Sequence, residues 1–182
     1  PLLLVLGETA RDQGDHAQAR RWVEQAQALY REQRDRQGEA LATNLLGSIA
    51  YDLGEYQVSA LHHRAAAETF RRNGDLLREG RALNNLGSAL WGSGDYIKAR
   101  ATHERAVLIC RELGDRLGES DNIDNLGGVA WVLGEYTEAI AHYQHALAIR
   151  EATEDTWGVS ISLSNLGDAS RQRGETPPAL QY

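Results

Sequence analysis

The chain has 182 residues, 42% of them apolar and 25% charged, a balance that excludes a disordered or fibrous protein and fits one ordinary domain or one short repeat array. Its net charge of -7 is spread along the sequence, so no block of Lys and Arg is available to neutralise a phosphate backbone or an anionic membrane surface. Neither nucleic acid nor a membrane is expected as a direct partner.

The apolar run "LLLVL" at residues 2 to 6 is too short to span a bilayer and lacks the charged flank and cleavage site of a signal peptide. Cys110 is the sole cysteine, which rules out an internal disulfide framework and suits a small apolar role in a reducing compartment, so the expected location is cytoplasmic. Lys98 is the sole lysine against many arginines, the codon bias of a GC-rich bacterial genome. A sequence without methionine that ends in "PPALQY" is expected to be a piece of a longer protein.

Self-similarity organises the chain. The pairs Leu6-Gly7, Leu46-Gly47, Leu86-Gly87, Leu126-Gly127 and Leu166-Gly167 recur every 40 residues. A second glycine follows seven residues after the first, at Gly14, Gly54, Gly94, Gly134 and Gly174, and then an acidic residue, Asp15, Glu55, Asp95, Glu135 and Glu175. Ala26, Ala66, Ala106 and Ala146 keep the same register, as do Asp35, Asp75, Asp115 and Asp155. Units are therefore expected at about 1–34, 35–74, 75–114, 115–154 and 155–182, four complete and the last incomplete.

Each unit reads as two helices. In the unit at 115–154, Ile123, Leu126, Ala130 and Leu133 form one helical stripe, opened by Asp115 as N-cap and stopped by Gly134. Tyr136, Ala139, Ile140, Tyr143, Ala146 and Leu147 form a second. No segment shows sustained period-two alternation, so no strands are placed. A glycine repeated inside the first helix predicts two helix axes closer than a Cβ would permit, since Gly otherwise costs about 1 kcal/mol against Ala there. The acidic residue after the second glycine is expected to satisfy or complement the N–H groups of the next helix. A phosphate loop at residues 87 to 94 is rejected, because no strand precedes it and the repeat explains every glycine.

These residues resemble the tetratricopeptide repeats. Asn85-Leu86-Gly87, Gly94-Asp95-Tyr96 and Ala106, and again Asn125-Leu126-Gly127, Gly134-Glu135-Tyr136 and Ala146, match that family's motif positions. The resemblance covers essentially the whole chain and implies an all-α, right-handed superhelical solenoid of antiparallel helix pairs, with no catalytic activity of its own. The 40-residue spacing is longer than the family's commonest one and the usual closing proline is absent, which implies longer helices. This long form is similar to arrays in bacterial multidomain signalling ATPases and transcriptional regulators, quorum-sensing peptide receptors, kinesin light chains and spindle-orientation adaptors.

In such an array the first helix of each pair lines the concave side. The face opposite the leucine stripe is then polar and aromatic: Arg81, Asn85, Ser88 and Gly92 in one unit, Asp121, Asn125, Gly128 and Val132 in the next, and Ile161, Asn165, Asp168 and Gln172 in the last. Asn44, Asn84, Asp124 and Ser164 lie beside them, as do Tyr51, Trp91 and Trp131, while Trp22 and Trp157 leave the register and are expected to be packing or end residues. Asn85, Asn125 and Asn165 form a ladder that Leu45 breaks. An amide offers both donor and acceptor to a peptide backbone, and peptide-binding relatives use asparagines at this position in that way. Trp91 and Trp131 offer flat faces to aromatic, arginine or sugar groups. Asp121, Asp124 and Asp168 make the far half acidic, with Arg11 and Arg81 nearer the start.

The expected function is a protein- or peptide-binding scaffold, the sensor or interaction part of a larger signalling or regulatory protein. An oligosaccharide-like effector held by the tryptophans, and a spacer that self-associates end to end through its apolar terminal faces, are the alternatives. Chemistry is not expected. His142 and His145 have no third ligand placed to complete a metal site, His63 and His103 occupy the interior register of Val23 and Tyr143, and no metal or cofactor is implied.

Overall fold

An aspartate opens the first helix of every repeat after the first. Oδ1 of Asp35, Asp75, Asp115 and Asp155 accepts from the backbone N–H three residues on, at Gly38 (2.9 Å), Arg78 (3.1 Å), Gly118 (2.9 Å) and Gly158 (3.0 Å). That bond satisfies one of the N–H groups a helix start leaves without a partner. The residue before each aspartate is left-handed. Gly74 and Gly114 adopt that conformation without a Cβ, whereas Arg34 and Glu154 hold it at φ 55° and 57°.

The computed structural model describes residues 2–174. Among the described residues there are nine helices and no strand: α1 (Leu2–Asp12), α2 (His16–Glu32), α3 (Arg36–Asp52), α4 (Tyr56–Arg72), α5 (Leu76–Gly92), α6 (Tyr96–Leu113), α7 (Arg116–Val132), α8 (Tyr136–Ala152) and α9 (Thr156–Gln172). From α2 onward every helix has 17 or 18 residues, the length the long repeat implies.

The chain divides into two compact units, the first ending at Asp95 and the second beginning at Tyr96. In unit 1 each of α1 to α4 packs on the next, and in unit 2 each of α6 to α8 does the same. Connections of two or three residues leave consecutive helices within each unit antiparallel. First helices also touch one another, α1 with α3, α3 with α5, and α7 with α9, while α2 does not reach α4 and α6 does not reach α8. Within each unit the odd-numbered helices therefore form the inner layer.

Small residues let the layers approach. Ala19, Ala42, Ala66 and Ala82 are completely buried in unit 1, beside Val23, Ile49 and Phe70. Unit 2 repeats the arrangement with Ala130, Ala139, Ala146 and Ala169 against Ile123, Leu126 and Tyr143. Leu133, expected on the buried stripe, falls one residue past the end of α7 and is 36% exposed.

At Gly7, Gly47 and Gly127 the Leu-Gly glycine makes room for a side chain, not for a second helix axis, whereas among the described residues nothing lies within 4 Å of a Cβ on Gly167. A Cβ on Gly7 would lie 2.5 Å from a methyl of Val23, one on Gly47 would lie 2.8 Å from the His63 ring, and one on Gly127 would lie 2.5 Å from the Tyr143 ring. Each partner comes 16 residues later, on the second helix of the same pair. The acidic residue after the second glycine also differs from expectation. Asp15 caps α2 through Gln18 N–H (3.0 Å), but Glu55 and Glu135 make no capping bond and instead pair with Arg20 (2.8 Å) and Arg100 of the preceding second helix. The glutamate side chain, one methylene longer than aspartate, reaches across to the neighbouring helix.

Candidate binding groove

In unit 1 the inner layer leaves a groove. A cleft of about 230 Å³ opens between α1, α3 and α5, lined by Arg11, Ser48, Tyr51, Asp52, His63, Asn85 and Ser88. A second, of about 460 Å³, adjoins it between α1 and α3, sharing Arg11 and Ser48 and adding Asn44, Leu4, Leu41 and Leu45. The guanidinium of Arg11 spans the two helices, with Nε donating to one Asp52 carboxylate oxygen (2.5 Å) and Nη2 to the other (3.2 Å). Those bonds and the carboxylate charge raise its pKa above the ordinary arginine value. Tyr51 stands on the rim, edge-on to Tyr56 with ring centroids 5.3 Å apart.

The floor is His63 on α4, 1% exposed. Its Nδ1 lies 2.8 Å from Asn44 Oδ1. Burial, reinforced by His62 and Arg11, pushes the imidazole down to about 4, so it is neutral near pH 7. A neutral ring that donates from Nδ1 to an amide oxygen keeps Nε2 as an acceptor.

Unit 2 is organised around a different buried group. Arg150 on α8, 4% exposed, donates from Nη1 to Asp124 Oδ1 (2.9 Å), Ser162 Oγ (2.7 Å) and the Gly158 carbonyl (3.1 Å), and from Nη2 to Asp121 Oδ1 (2.9 Å). Asp124 also accepts from Ser162 Oγ (3.1 Å) and from Asn165 Nδ2 (2.9 Å). Burial pushes the Asp124 carboxyl up, against the opposing pull of Arg150, Ser162 and Asn165. The carboxylate is thus held by its own network.

The residues singled out from the sequence separate accordingly. Asn44, Asn85 and Ser88 line the unit 1 clefts, Asn84 is half-buried beside them on α5, Arg81 is exposed, and Trp91 is 43% exposed. In unit 2 Asp121 and Asp124 converge on Arg150, which offsets much of the acidic character read from the sequence, and Asn165 donates to Asp124. Asn125 is half-buried, Trp131 is 38% exposed, and Asp168 is exposed and paired with Arg171. Trp22 packs against the unit 1 core, whereas Trp157 is 76% exposed. Arg150, Asp52 and Ser48 were not picked out from the sequence. Arg150 carried a signal: its register holds Tyr30, Phe70 and Cys110 elsewhere, and it changes to arginine where the register of Asn44 and Asn84 changes to Asp124.

Three tetratricopeptide repeat family models match the sequence, over residues 1–25, 80–113 and 119–182. The chain is a tetratricopeptide repeat protein. Its fold is the all-α solenoid of that family. The apo form of RapI superposes with a TM-score of 0.87 at 18% identity, covering 95% of this chain and 63% of that one. A Rap protein complexed with competence and sporulation factor gives 0.79 at 17%, over 94% and 48%. A signal transduction ATPase with numerous domains and a tetratricopeptide repeat sensor, from Pyrococcus horikoshii, gives 0.84 at 14%, over 93% and 26%. At these identities the likeness is one of fold, and this repeat protein spans less than two thirds of each of the three solved chains. No curated protein matches the sequence. Among the described residues no helix is long and apolar enough to cross a membrane, and no three His, Cys, Asp or Glu side chains are grouped to hold a metal ion.

Proposed function

We propose that this tetratricopeptide repeat protein is a peptide-binding scaffold that holds an extended protein segment along its inner helix layer, as the sensor or interaction part of a larger signalling or regulatory protein. The observation that carries the reading is the pair of adjoining clefts in unit 1, where Asn85, Ser48 and Ser88 present polar groups beside half-exposed Tyr51. Amides and hydroxyls on a concave surface match the N–H and C=O groups of a peptide backbone, which gives affinity with little dependence on sequence. The structural likeness to a Rap protein complexed with a factor, and to a sensor module, supports the same reading.

The test is selection from a random peptide library on the whole chain, followed by fluorescence anisotropy with the selected peptides. Affinity near micromolar, about −8 kcal/mol, is expected. Asn85→Ala should weaken it roughly tenfold, the equivalent of about one hydrogen bond, with helicity unchanged. Selected peptides indifferent to Asn85→Ala, or none selected, would overturn the reading.

A sugar-like effector is the second reading, favoured by the partial exposure of Trp91 and Trp131 at 43% and 38%. Tryptophan fluorescence titrated with an oligosaccharide panel tests it, and a silent panel removes it.

A further inference from the structure

The two units place different groups at one register. His63 in unit 1 and Tyr143 in unit 2 both sit beneath the glycine of the Leu-Gly pair, Gly47 and Gly127. One position further along the first helix, unit 1 has Ser48 and unit 2 has Gly128, and the Tyr143 hydroxyl lies 3.9 Å from where a Cβ on Gly128 would be. Tyrosine therefore extends to the inner surface of unit 2. Histidine is shorter, and above it unit 1 has the cleft of about 230 Å³.

The chemistry of that cleft is selective. The two bonds between Arg11 and Asp52 place the local positive and negative charges against each other, so neither calls for a charged ligand. With Nδ1 bonded to Asn44, the remaining polar atom of the His63 ring is the acceptor Nε2. Ser48 and Ser88 already donate their hydroxyls to the backbone carbonyls of Asn44 (3.4 Å) and Asn84 (3.2 Å), which leaves their oxygens facing the cleft as acceptors. With the charges paired, the Asn85 amide and the Tyr51 hydroxyl able to donate or accept, and His63 Nε2, Ser48 Oγ and Ser88 Oγ as acceptors, the cleft suits a neutral ligand that donates at its floor.

From this geometry we infer that the His63 cleft is a side-chain pocket for a neutral hydrogen-bond donor, a hydroxyl or an amide, with the phenol of a tyrosine as the case that unit 2 itself displays. The ligand's O–H or N–H donates to His63 Nε2, and its apolar body lies against Tyr51. The inference rests on the peptide-binding reading for the source of the side chain, but the pocket can be examined without a peptide.

The whole chain is labelled with ¹⁵N at its six histidines and titrated with phenol, N-methylacetamide, acetate and methylammonium, with His63→Tyr and His63→Gln used to assign the His63 signal. Saturable movement of the His63 Nε2 resonance with phenol and N-methylacetamide, the charged probes having little effect, is expected. No movement with either neutral probe, or equal movement with the charged ones, overturns the pocket. A second arm uses a selected peptide that depends on Asn85. Replacing its donor side chain with an apolar isostere, tyrosine to phenylalanine for example, should weaken binding to the parent about tenfold or more and leave binding to His63→Tyr unchanged. An Asn85-dependent peptide indifferent to both changes overturns the pocket and leaves the groove standing. If no peptide depends on Asn85, the groove reading falls while the titration alone decides the pocket.

Discussion

Unit 1 and unit 2 share a register and a helix-pair geometry, yet they satisfy their buried polar groups in different ways. In unit 1 the second helix contributes His63 and Phe70, one bonded to Asn44 and the other packed among alanines. In unit 2 the same positions are Tyr143 and Arg150, and the arginine draws Asp121, Asp124 and Ser162 onto itself. One arrangement leaves side-chain acceptors beside open space; the other binds its polar groups to each other. Recognition needs unsatisfied groups at a surface, whereas a buried ion-pair network fixes one packing at little net gain in stability. On the proposed function, recognition falls to unit 1 and the fixing of one packing to unit 2.

The largest expected effect lies in the network. Arg150→Met should destabilise the chain by about 3–5 kcal/mol, because Asp124 would remain buried without its countercharge. Adding Asp124→Asn should recover most of that loss, since Asn44 opposite Phe70 is the unit 1 solution at the same positions. Urea unfolding of the single and double variants checks both. Equal losses in the two would show that the arginine acts through packing and not through charge.

Next is acid sensitivity. Above about 6.5 the histidine is neutral whether the chain is folded or unfolded, so it adds no pH dependence. Below 6.5 the unfolded chain takes up a proton, while folded His63 stays neutral until about 4, so stability falls across that window and levels off beneath it. The loss should be about 3 kcal/mol, at about 1.4 kcal/mol for each pH unit the window spans. His103 in unit 2, also lowered by burial, acts in the same direction, so His63→Tyr should reduce the slope without abolishing it. Unfolding free energies at several pH values between 7 and 4 decide the matter, and an unchanged slope in His63→Tyr would refute the assignment.

Smaller effects are expected at the glycines. Gly127→Ala forces a methyl against the Tyr143 ring and should cost about 1–3 kcal/mol despite the better helix propensity of alanine. A Tyr143→Ala background, which removes the ring atoms that crowd the new methyl, should relieve most of it. Gly128→Ala meets only the Tyr143 hydroxyl at ordinary contact distance and should stabilise by up to about 1 kcal/mol. Thermal melts of the neighbouring pair compare a clash with an open position on one helix.

The fold was largely legible in the amino-acid order. Strict spacing of Leu-Gly, of the turn glycines and of the capping aspartates carries the helix boundaries, because each signal acts through the local backbone. His63, His103 and Tyr143 were likewise readable as interior from register alone. Half of the groove was legible too, since a repeat places Asn85 and Ser88 on one face wherever the helices lie.

What the sequence by itself determined is therefore the repeat, its helices and which face of each is polar, all consequences of periodicity within a few turns of chain. Only the tertiary structure decided which polar residues remain available. The bonds of Asp124 to Arg150 and Asn165 join residues 26 and 41 positions away, and that of Asn44 to His63 spans 19. Such partners depend on side-chain reach across packed helices, so a carboxylate and an amide that look alike in the repeat become, on packing, a member of a buried ion-pair network and a cleft-lining residue that orients a histidine.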